Sequence, residues 1–316
     1  QEEVAVAHPD HLEDLIKDDT EIIGIYTMDP FGIGPTTMSY YALFGGNELA
    51  AWVRMEWEEL ISKINHIRKG KKAKLVIGGP GVWEYTILDD EIEKEQVDYL
   101  FQGEADEVVA DLFEYISKGS NDGTFVNSYV TYDDSFKRSI VQHEKFLSRG
   151  NKYKLYPSIE DIPTIVKPSM DSLTEIMRGC GIGCDFCEVT LRPVRYYPVE
   201  KVLEEVKVNI AAGFSNAWLH TDEVFSYKHL ENFVPNEEAL LELFSAVMNT
   251  PGVKISNPTH GRISPAAAYP ELIEKLSKIL RAGPRRWIGV QVGLETGSEK
   301  LAKLHMPAKT LPLKIG

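Results

Sequence analysis

The sequence predicts an α/β protein with two parallel β-sheets, in which strands alternate with helices. Short apolar runs followed by amphipathic stretches recur from residue 21 to about residue 118, and the same alternation begins again at residue 173. Strands that are separated by helices form right-handed crossovers, which place the strands parallel to one another. A third observation concerns function, because all three cysteines of the 316-residue chain fall within eight positions.

The first part of the chain predicts a Rossmann-like parallel sheet over residues 1–120. Its apolar runs predict strands, and its amphipathic stretches, residues 48–70 and 107–119, predict helices. The predicted strands are residues 21–28, 74–79 and 97–104. In such sheets ligands lie at the carboxyl ends of the strands. Here those ends carry residues 29–35, 78–81 and 103–104.

Residues 121–172 predict a linker with a short β excursion, because the stretch is punctuated by prolines and lacks the βα alternation. From residue 173 the pattern predicts four βα units, which indicate a barrel or partial barrel with its site at the carboxyl ends of the strands. The predicted strands are residues 173–179, 216–223, 253–262 and 287–298. A closed barrel needs more strands, so we expect the barrel over residues 173–316 to be truncated at its C-terminal end.

The charge balance argues against nucleic acid as a partner. The chain has 34 basic and 48 acidic residues, a formal net charge of −14, and such a field repels phosphate. No segment approaches the roughly 20 apolar residues of a membrane-spanning helix, and the acidic N-terminal segment does not resemble a signal peptide. The first residue is Gln, so we expect some N-terminal residues to be missing. A protein, a peptide or a small molecule is the expected substrate.

The cysteines follow the spacing C-x3-C-x2-C in the segment RGCGIGCDFCEVT. Three cysteines packed this closely do not form a disulfide framework, which points to a reducing, cytoplasmic setting. Soft thiolates bind iron–sulfur clusters or zinc. Three of them on one loop suit a cubane [4Fe–4S] cluster, in which Cys180, Cys184 and Cys187 ligate three irons and leave the fourth open.

The neighbours of the cysteines fit this prediction. Gly181 and Gly183 allow a tight loop whose backbone N–H groups reach the cluster sulfides, and Phe186 can cover the cluster. The alternative is a structural zinc site with a histidine as its fourth ligand. Zinc sites commonly use paired C-x2-C segments, and no histidine lies close to the cysteines in sequence.

This segment resembles the signature of the radical S-adenosylmethionine (radical SAM) superfamily, C-x3-C-x-aromatic-C, and the resemblance extends from about residue 173 to the C-terminus. It implies that the methionyl amine and carboxylate of S-adenosylmethionine chelate the open iron. One electron then splits the C5′–S bond and gives methionine and a 5′-deoxyadenosyl radical. The cofactor carries this chemistry, and the protein orients and shields it.

The resemblance also implies S-adenosylmethionine contacts at the ends of the later strands. Asp222 and Glu223 are candidates for the methionyl ammonium, with solvated loop acids as the alternative. Arg262 is a candidate for the methionyl carboxylate, with pairing to a barrel acid as the alternative. Glu295 and Ser298 follow the predicted fourth strand, where the family contacts ribose and methionine. The predicted S-adenosylmethionine-binding residues are Phe186, Asp222, Glu223, Arg262, Glu295 and Ser298.

The first part of the chain resembles the cobalamin domain of the B12-dependent branch of this superfamily. The segments KLVIGGPGVWEY and VDYLFQGEADEVV carry that resemblance, and DPFGIGP is similar to archaeal members. The D-x-H-x-x-G motif of a lower axial histidine is absent, so a corrin would bind without histidine ligation. The alternatives are a vestigial fold that binds no corrin and a flavodoxin-like nucleotide domain. The predicted cobalamin-binding residues are Asp29, Gly32, Gly34, Pro35, Gly78, Gly79, Gly81, Gly103 and Glu104.

Together the two resemblances imply a cobalamin-dependent radical SAM methyltransferase that methylates an unactivated carbon, with ferredoxin or flavodoxin as the type of reductant. Archaeal C-methyltransferases, such as the one that modifies a glutamine of methyl-coenzyme M reductase, are the members that the sequence most resembles. Within the branch, the alternatives are cyclisation, rearrangement or lipid carbon–carbon coupling. A non-catalytic Fe–S or zinc protein is the alternative from another class.

Overall fold

The computed structural model describes residues 4–313 except 46–47, 89, 102, 108, 119–128, 131–155, 188 and 190–191. The chain divides into two compact units, Gln1–Pro157 and Ser158–Gly316. The predicted linker lies mostly outside the described residues. Its residues 158–172 pack within the second unit, where Ile159 and Ile162 are buried in the hydrophobic core.

The first unit contains a four-stranded sheet in the order β1-β2-β3-β4. The first three strands are parallel, and the short β4 pairs antiparallel with β3. The strands are β1 Ile22–Tyr26, β2 Lys74–Gly78, β3 Tyr99–Phe101 and β4 Tyr129–Val130. The helices are α1 Leu12–Leu15, α2 Pro35–Phe44, α3 Glu48–Arg68, α4 Asp90–Lys94 and α5 Val109–Lys118. The three predicted strands and the two predicted helices are confirmed, whereas α2 was not predicted.

Helices cover both faces of this sheet, which explains why β2 is apolar at consecutive positions. Leu75 and Ile77 point to one face and pack in a core with Trp57, Ile61 and Ile64 of α3. Val76 points to the opposite face and packs with Phe101 and with Leu112 and Ile116 of α5. The alternation of side chains along one strand therefore serves two separate hydrophobic cores.

The second unit contains a parallel sheet in the order β5-β8-β9 and a separate antiparallel pair, β6 and β7. The strands are β5 Leu173–Glu175, β6 Met177–Arg178, β7 Arg195–Tyr196, β8 Asn216–His220 and β9 Ile255–Pro258. The helices are α6 Val199–Ala211, α7 Glu237–Asn249, α8 Ile263–Ala268, α9 Pro270–Ile279 and α10 Glu299–His305. Fully buried Ala217 and Leu219 of β8 anchor this sheet to the core.

The predicted fourth strand, residues 287–298, was wrong in its extent. The structure forms a single parallel bridge there, between His260 and Gln291. Two large apolar side chains of this segment stay exposed, 73% for Trp287 and 69% for Leu294. Little apolar surface is therefore buried there to stabilise a longer strand. The predicted first strand is also interrupted, since Ile176 separates β5 from β6.

Among the described residues, no helix is both long and apolar enough to span a membrane.

Candidate functional site

The three cysteines lie on a loop that leaves the carboxyl end of the second sheet. The antiparallel pair β6–β7 closes the base of this loop, with Met177 opposite Tyr196 and Arg178 opposite Arg195. Since β5 is parallel to β8 and β9, the loop starts at the edge where those strands also end. The sheet topology thus brings the cysteine loop and the ends of β8 and β9 to one edge, as the sequence predicted.

Close backbone approach explains one glycine before the first cysteine. Gly179 has φ 73°, and a side-chain carbon there would lie 2.8 Å from the carbonyl oxygens of both Arg192 and Pro193. The returning strand therefore leaves no room for a side chain. Gly181 and Gly183 also have positive φ values, 69° and 79°, which fits the tight loop that the sequence predicted.

The cysteine side chains sit in apolar surroundings. Cys180 and Cys184 are buried together with Ile182, Ala302 and Met306, and Cys187 is partly buried beside them. The backbone N–H of Ile182 donates to the Cys180 sulfur. Burial raises the pKa of the Cys180 thiol to about 11, and burial also raises the pKa of Cys184 against the opposing charges of Lys309 and Arg262. These thiols therefore stay protonated until a metal displaces the protons.

This donor set fits an iron–sulfur cluster. It offers three soft sulfur ligands, one N–H···S hydrogen bond and an apolar wall that limits water. In the part of the chain that the structure describes, no three His, Cys, Asp or Glu side chains converge on a single ion. Phe186, predicted to cover the cluster, is 48% exposed.

Glu223, directly after β8, is buried and fully engaged in hydrogen bonds. Its Oε1 accepts from the backbone N–H groups of Phe225 (3.0 Å) and Arg262 (3.1 Å). Its Oε2 accepts from the Ser226 hydroxyl (2.9 Å) and from Nε of Arg262 (2.7 Å). The carboxylate therefore has little capacity left for a ligand, and its observed role is to hold the ends of β8 and β9 together.

Arg262 is paired with a barrel acid, the alternative that the sequence left open. Besides the Glu223 ion pair, its Nη1 donates to the carbonyl oxygens of Leu311 (2.9 Å) and Ala308 (3.2 Å). Its Nη2 is buried and has no hydrogen-bond partner among the described residues. A buried donor without a partner is costly, so one N–H group of this guanidinium is available for an acceptor.

Asp222 differs from Glu223 because it is exposed, whereas Glu223 is buried. Desolvation by the surrounding protein raises its pKa, while Arg192, His220 and His260 lower it. The carboxylate of Asp222 is thus open on one side and surrounded by protein on the others. The predicted role of Asp222 in binding S-adenosylmethionine stays a prediction.

Glu295 lies near Cys184, and both Glu295 and Ser298 have partners of their own. Glu295 forms an ion pair with Lys309, and its charge raises the pKa of Cys184. Ser298 is the N-cap of α10, where its hydroxyl accepts from the backbone N–H of Leu301 at 3.4 Å. The structure therefore brings Glu295 to the site, and it gives Ser298 a helix-capping role.

Two histidines that were not predicted lie at the same edge. Nδ1 of His260 lies 3.1 Å from the carbonyl oxygen of Thr221, and Nδ1 of His220 lies 3.4 Å from the Thr259 hydroxyl. The two rings are 6.3 Å apart and nearly perpendicular. Each histidine is at the carboxyl end of a predicted strand, HTDE or THGR, so strand position was the signal that identifies them.

In the first unit, Asp29 organises the loop after β1. Its Oδ1 accepts from the backbone N–H of Gly34 (2.8 Å), and its Oδ2 accepts from the Thr37 hydroxyl, so the carboxylate caps the N-terminus of α2. A side-chain carbon on Gly34 would lie 2.9 Å from the Asp29 carboxyl carbon. This cap and Pro35 in the first turn explain why α2 begins here.

The protein's own backbone fills the space beside two predicted cobalamin-binding glycines. A side-chain carbon on Gly79 would lie 2.8 Å from the Thr27 nitrogen, and one on Gly81 would lie 2.8 Å from the carbonyl carbon of Met28. Packing between the loops after β1 and β2 therefore accounts for both. Gly32 and Gly103 have positive φ, Gly78 ends β2, and Glu104 is partly buried. The predicted cobalamin set stays a prediction.

Glu84 is a buried carboxyl group at the same edge that the sequence did not indicate. It is 0% exposed, and its Oε2 accepts from the backbone N–H of Phe31 at 2.9 Å. Burial raises its pKa to about 8, and the nearby Asp29 carboxylate acts in the same direction. Its Oε1 has no hydrogen-bond partner among the described residues, and burial of a carboxyl oxygen without a donor favours the protonated form.

The second unit resembles a known family in sequence. Residues 174–311 match the family model of the Radical SAM superfamily. No curated protein gave a significant match. Among solved structures, the cobalamin-dependent S-adenosylmethionine radical enzyme OxsB with aqua-cobalamin and S-adenosylmethionine bound is 18% identical with a TM-score of 0.56. That comparison covers 95% of this chain and 39% of OxsB.

A second match is the radical S-adenosylmethionine methyltransferase TsrM from Kitasatospora setae, solved with tryptophan substrate and a SAM analog. It is 12% identical with a TM-score of 0.49, over 94% of this chain and 61% of that one. This chain thus spans less than two fifths of OxsB, and the OxsB match at 18% identity shows similarity of fold. Residues 174–311 of the second unit therefore match the Radical SAM family in sequence, and the chain is similar in fold to the cobalamin-dependent radical enzyme OxsB.

Proposed function

We propose that this protein binds a [4Fe–4S] cluster through Cys180, Cys184 and Cys187 and cleaves S-adenosylmethionine reductively. The observation that carries the proposal is the cysteine loop of a Radical SAM domain at the sheet edge where β8 and β9 also end. When bound, the cluster supplies the electron that converts S-adenosylmethionine into methionine and a 5′-deoxyadenosyl radical. The apolar wall around the cysteines limits access of water to this chemistry.

The described side chains divide the binding of S-adenosylmethionine between two charges. Asp222, exposed toward the edge and not saturated, is the carboxylate for the methionyl ammonium. The unpartnered Nη2 of Arg262 is the donor for the methionyl carboxylate. Glu223 holds Arg262 in place and does not itself need to contact the ligand. Phe186, Glu295 and Ser298 remain the proposed contacts on the adenosyl side.

The test is anaerobic reconstitution with iron and sulfide, followed by reduction with dithionite in the presence of S-adenosylmethionine. We expect about four irons per chain for a [4Fe–4S] site, together with formation of 5′-deoxyadenosine. Cys180→Ala, Cys184→Ala and Cys187→Ala should each abolish that product. Lys278 forms an exposed ion pair on α9, so Lys278→Ala is the control and should leave the formation of 5′-deoxyadenosine unchanged. Stoichiometric zinc with no cleavage product would contradict the proposal.

We further propose that the first unit binds cobalamin and that the reaction methylates an unactivated carbon. The support is the similarity of fold to OxsB, together with the sequence resemblance to the B12-dependent branch. When bound, cobalamin supplies the methyl group. The proposed substrate is a protein or peptide, and the most specific candidate is a glutamine of methyl-coenzyme M reductase. The proposed reductant is a ferredoxin or a flavodoxin.

Binding of hydroxocobalamin tests this second proposal separately from the first. The full chain should retain about one corrin per chain after gel filtration, as expected for a single site. Retention of corrin and formation of 5′-deoxyadenosine without a methylated product would favour cyclisation or rearrangement chemistry. Failure to retain corrin would leave the Radical SAM chemistry intact and overturn the assignment of the first unit.

A further inference from the structure

A residue in the middle of the cysteine loop is held by the end of a helix far away in sequence. Asp185 lies between Cys184 and Phe186, and its backbone N–H donates to the carbonyl oxygen of His305 at 3.0 Å. Its side-chain Oδ2 also accepts from Nδ1 of His305 at 2.7 Å. These two residues are separated by 120 positions, and His305 is the last residue of α10.

Two hydrogen bonds between the same pair of residues restrict the loop more than one does. A carboxylate oxygen only accepts, so Nδ1 of His305 is assigned the proton in this contact. The backbone bond fixes the distance between the loop and the helix end, and the side-chain bond fixes the rotation of Asp185. The side chains are 56% exposed for Asp185 and 42% for His305. An exposed pair contributes little to global stability, so its main effect is local.

The restraint acts on the segment between the second and third cysteines. The backbone N–H of Cys187 donates to the carbonyl oxygen of Cys184 at 3.2 Å, which closes a turn around Asp185 and Phe186. Holding Asp185 therefore limits how far Cys184 and Cys187 can separate. It also directs Phe186, the next residue in the turn.

The same helix forms part of the wall beside the cysteines. Ala302 and Met306 are 9% and 5% exposed and are buried in one cluster with Cys180 and Cys184. The helix is capped at its start by Ser298 and continues through a bond from the Met306 N–H to the Ala302 carbonyl oxygen at 3.1 Å. The element that carries His305 is thus already fixed against the sulfur ligands.

We propose that His305 is a positioning residue for the iron–sulfur cluster, acting through Asp185 to hold the loop between Cys184 and Cys187. The inference rests on the proposed cluster-binding function. Groups that orient the ligands of a metal commonly affect retention of that metal, and their loss costs about 10- to 100-fold in metal affinity. His305 contributes no ligand atom in this scheme, since its ring is engaged with the Asp185 carboxylate.

The experiment compares His305→Ala, His305→Asn and Lys303→Ala, each as the full chain. Lys303 is an exposed residue of the same helix that pairs with Glu299, so its variant controls for changes in α10 alone. After anaerobic reconstitution and desalting, iron and sulfide per chain, the EPR spectrum of the reduced protein and the rate of bleaching in air are measured. We expect His305→Ala to bleach about 10-fold faster, with an altered EPR spectrum. His305→Asn should recover much of the loss, because its amide N–H reaches a position close to that of Nδ1.

Four results decide the outcome. If the wild-type chain binds no cluster, the proposed function fails before the role of His305 is addressed. If the wild type binds a cluster and His305→Ala bleaches at the rate of wild type and Lys303→Ala, the positioning role is overturned. Equal losses in His305→Ala and His305→Asn would also overturn it, since they indicate packing instead of the hydrogen bond. If circular dichroism shows that His305→Ala is unfolded, Asp185→Ala decides, and normal cluster retention in that folded variant overturns the proposal.

Discussion

The acidic residues that follow the strands of the two sheets differ in their pKa values and in their partners, although nothing in the local sequence distinguishes them. Glu84 is buried beside Asp29 with a raised pKa, Glu223 is paired with Arg262, and Asp222 is exposed. A buried carboxyl is stabilised as an ion only where donors surround it. The neighbours of each acid therefore decide its chemistry, and three predictions follow from these neighbours.

The first concerns Glu84→Gln, which replaces the buried carboxyl group with a neutral amide of similar size. The folded pKa is about 8, above the ordinary 4.5, so the folded protein binds the extra proton and its unfolding free energy falls as pH rises from about 4.5 to about 8. The substitution should raise stability at pH 8 by ~1–3 kcal/mol. Denaturant unfolding at pH 5, 7 and 9 checks this.

Glu95, whose pKa burial raises to about 7, contributes a slope of the same sign, so Glu84→Gln should flatten the pH profile only in part. Glu58→Gln, a half-exposed acid paired with Arg54, is the control and should leave the profile unchanged. An identical slope in wild type and Glu84→Gln would contradict the assignment of a protonated Glu84.

The second prediction concerns Asp222→Asn, which removes the proposed partner of the methionyl ammonium. A hydrogen bond to a charged group is worth about 1.5–3 kcal/mol, so the KM for S-adenosylmethionine should rise about 10- to 100-fold. Steady-state formation of 5′-deoxyadenosine measures it. Asp161→Asn, a change at another exposed aspartate of the same unit, is the matched control. An unchanged KM would remove Asp222 from the binding site.

The third prediction concerns Arg262→Ala, which leaves the buried carboxylate of Glu223 without its cation. Breaking a buried ion pair in this way costs about 3–5 kcal/mol. It also releases the carbonyl oxygens of residues 308 and 311. We expect a large fall in the unfolding midpoint, whereas exposed Arg285→Ala should leave it unchanged. A small effect of Arg262→Ala would show that the ion pair is not a structural contact.

At the scale of elements, the cysteine loop depends on the β6–β7 pair beneath it. Gly179 meets the returning backbone at Arg192 and Pro193, while Gly183 has a similar positive φ but open space around it. A comparison of Gly179 with Gly183 therefore distinguishes the effect of a steric clash from the effect of a positive φ. At the base of the loop, close packing leaves no room for a side chain, whereas at its tip only the positive φ favours glycine.

Gly179→Ala and Gly183→Ala therefore make a matched pair. Both substitutions place a side chain on a residue in the left-handed conformation, which lowers the unfolding free energy by about 1 kcal/mol. Only Gly179→Ala must also displace the strand backbone. We expect Gly179→Ala to lower cluster content after reconstitution and to reduce the unfolding midpoint more than Gly183→Ala does. Iron analysis and thermal unfolding provide the comparison. Equal behaviour of the two variants would contradict the close approach at Gly179.

At the scale of the whole molecule, the sequence by itself determined the alternation of strands and helices, the parallel pairing and the cysteine spacing. These features depend on periodicity and local residue types, which are read along one stretch of chain. Helix α2 was missed because its first-turn proline and its cap at Asp29 lie within a Gly/Pro-rich segment that was predicted as a loop. The fourth strand was overestimated because an apolar run does not reveal whether a neighbour will bury it.

Only the tertiary structure decided which side chains act together. Arg262 pairs with Glu223 across 39 positions, and His305 reaches Asp185 across 120. Such pairs form when parallel strands end at one edge and a later helix packs back against it, so no local pattern records them. The cysteines were predicted as ligands from their spacing alone. The charges and the hydrogen bonds that surround them depend on segments that meet only in the folded chain.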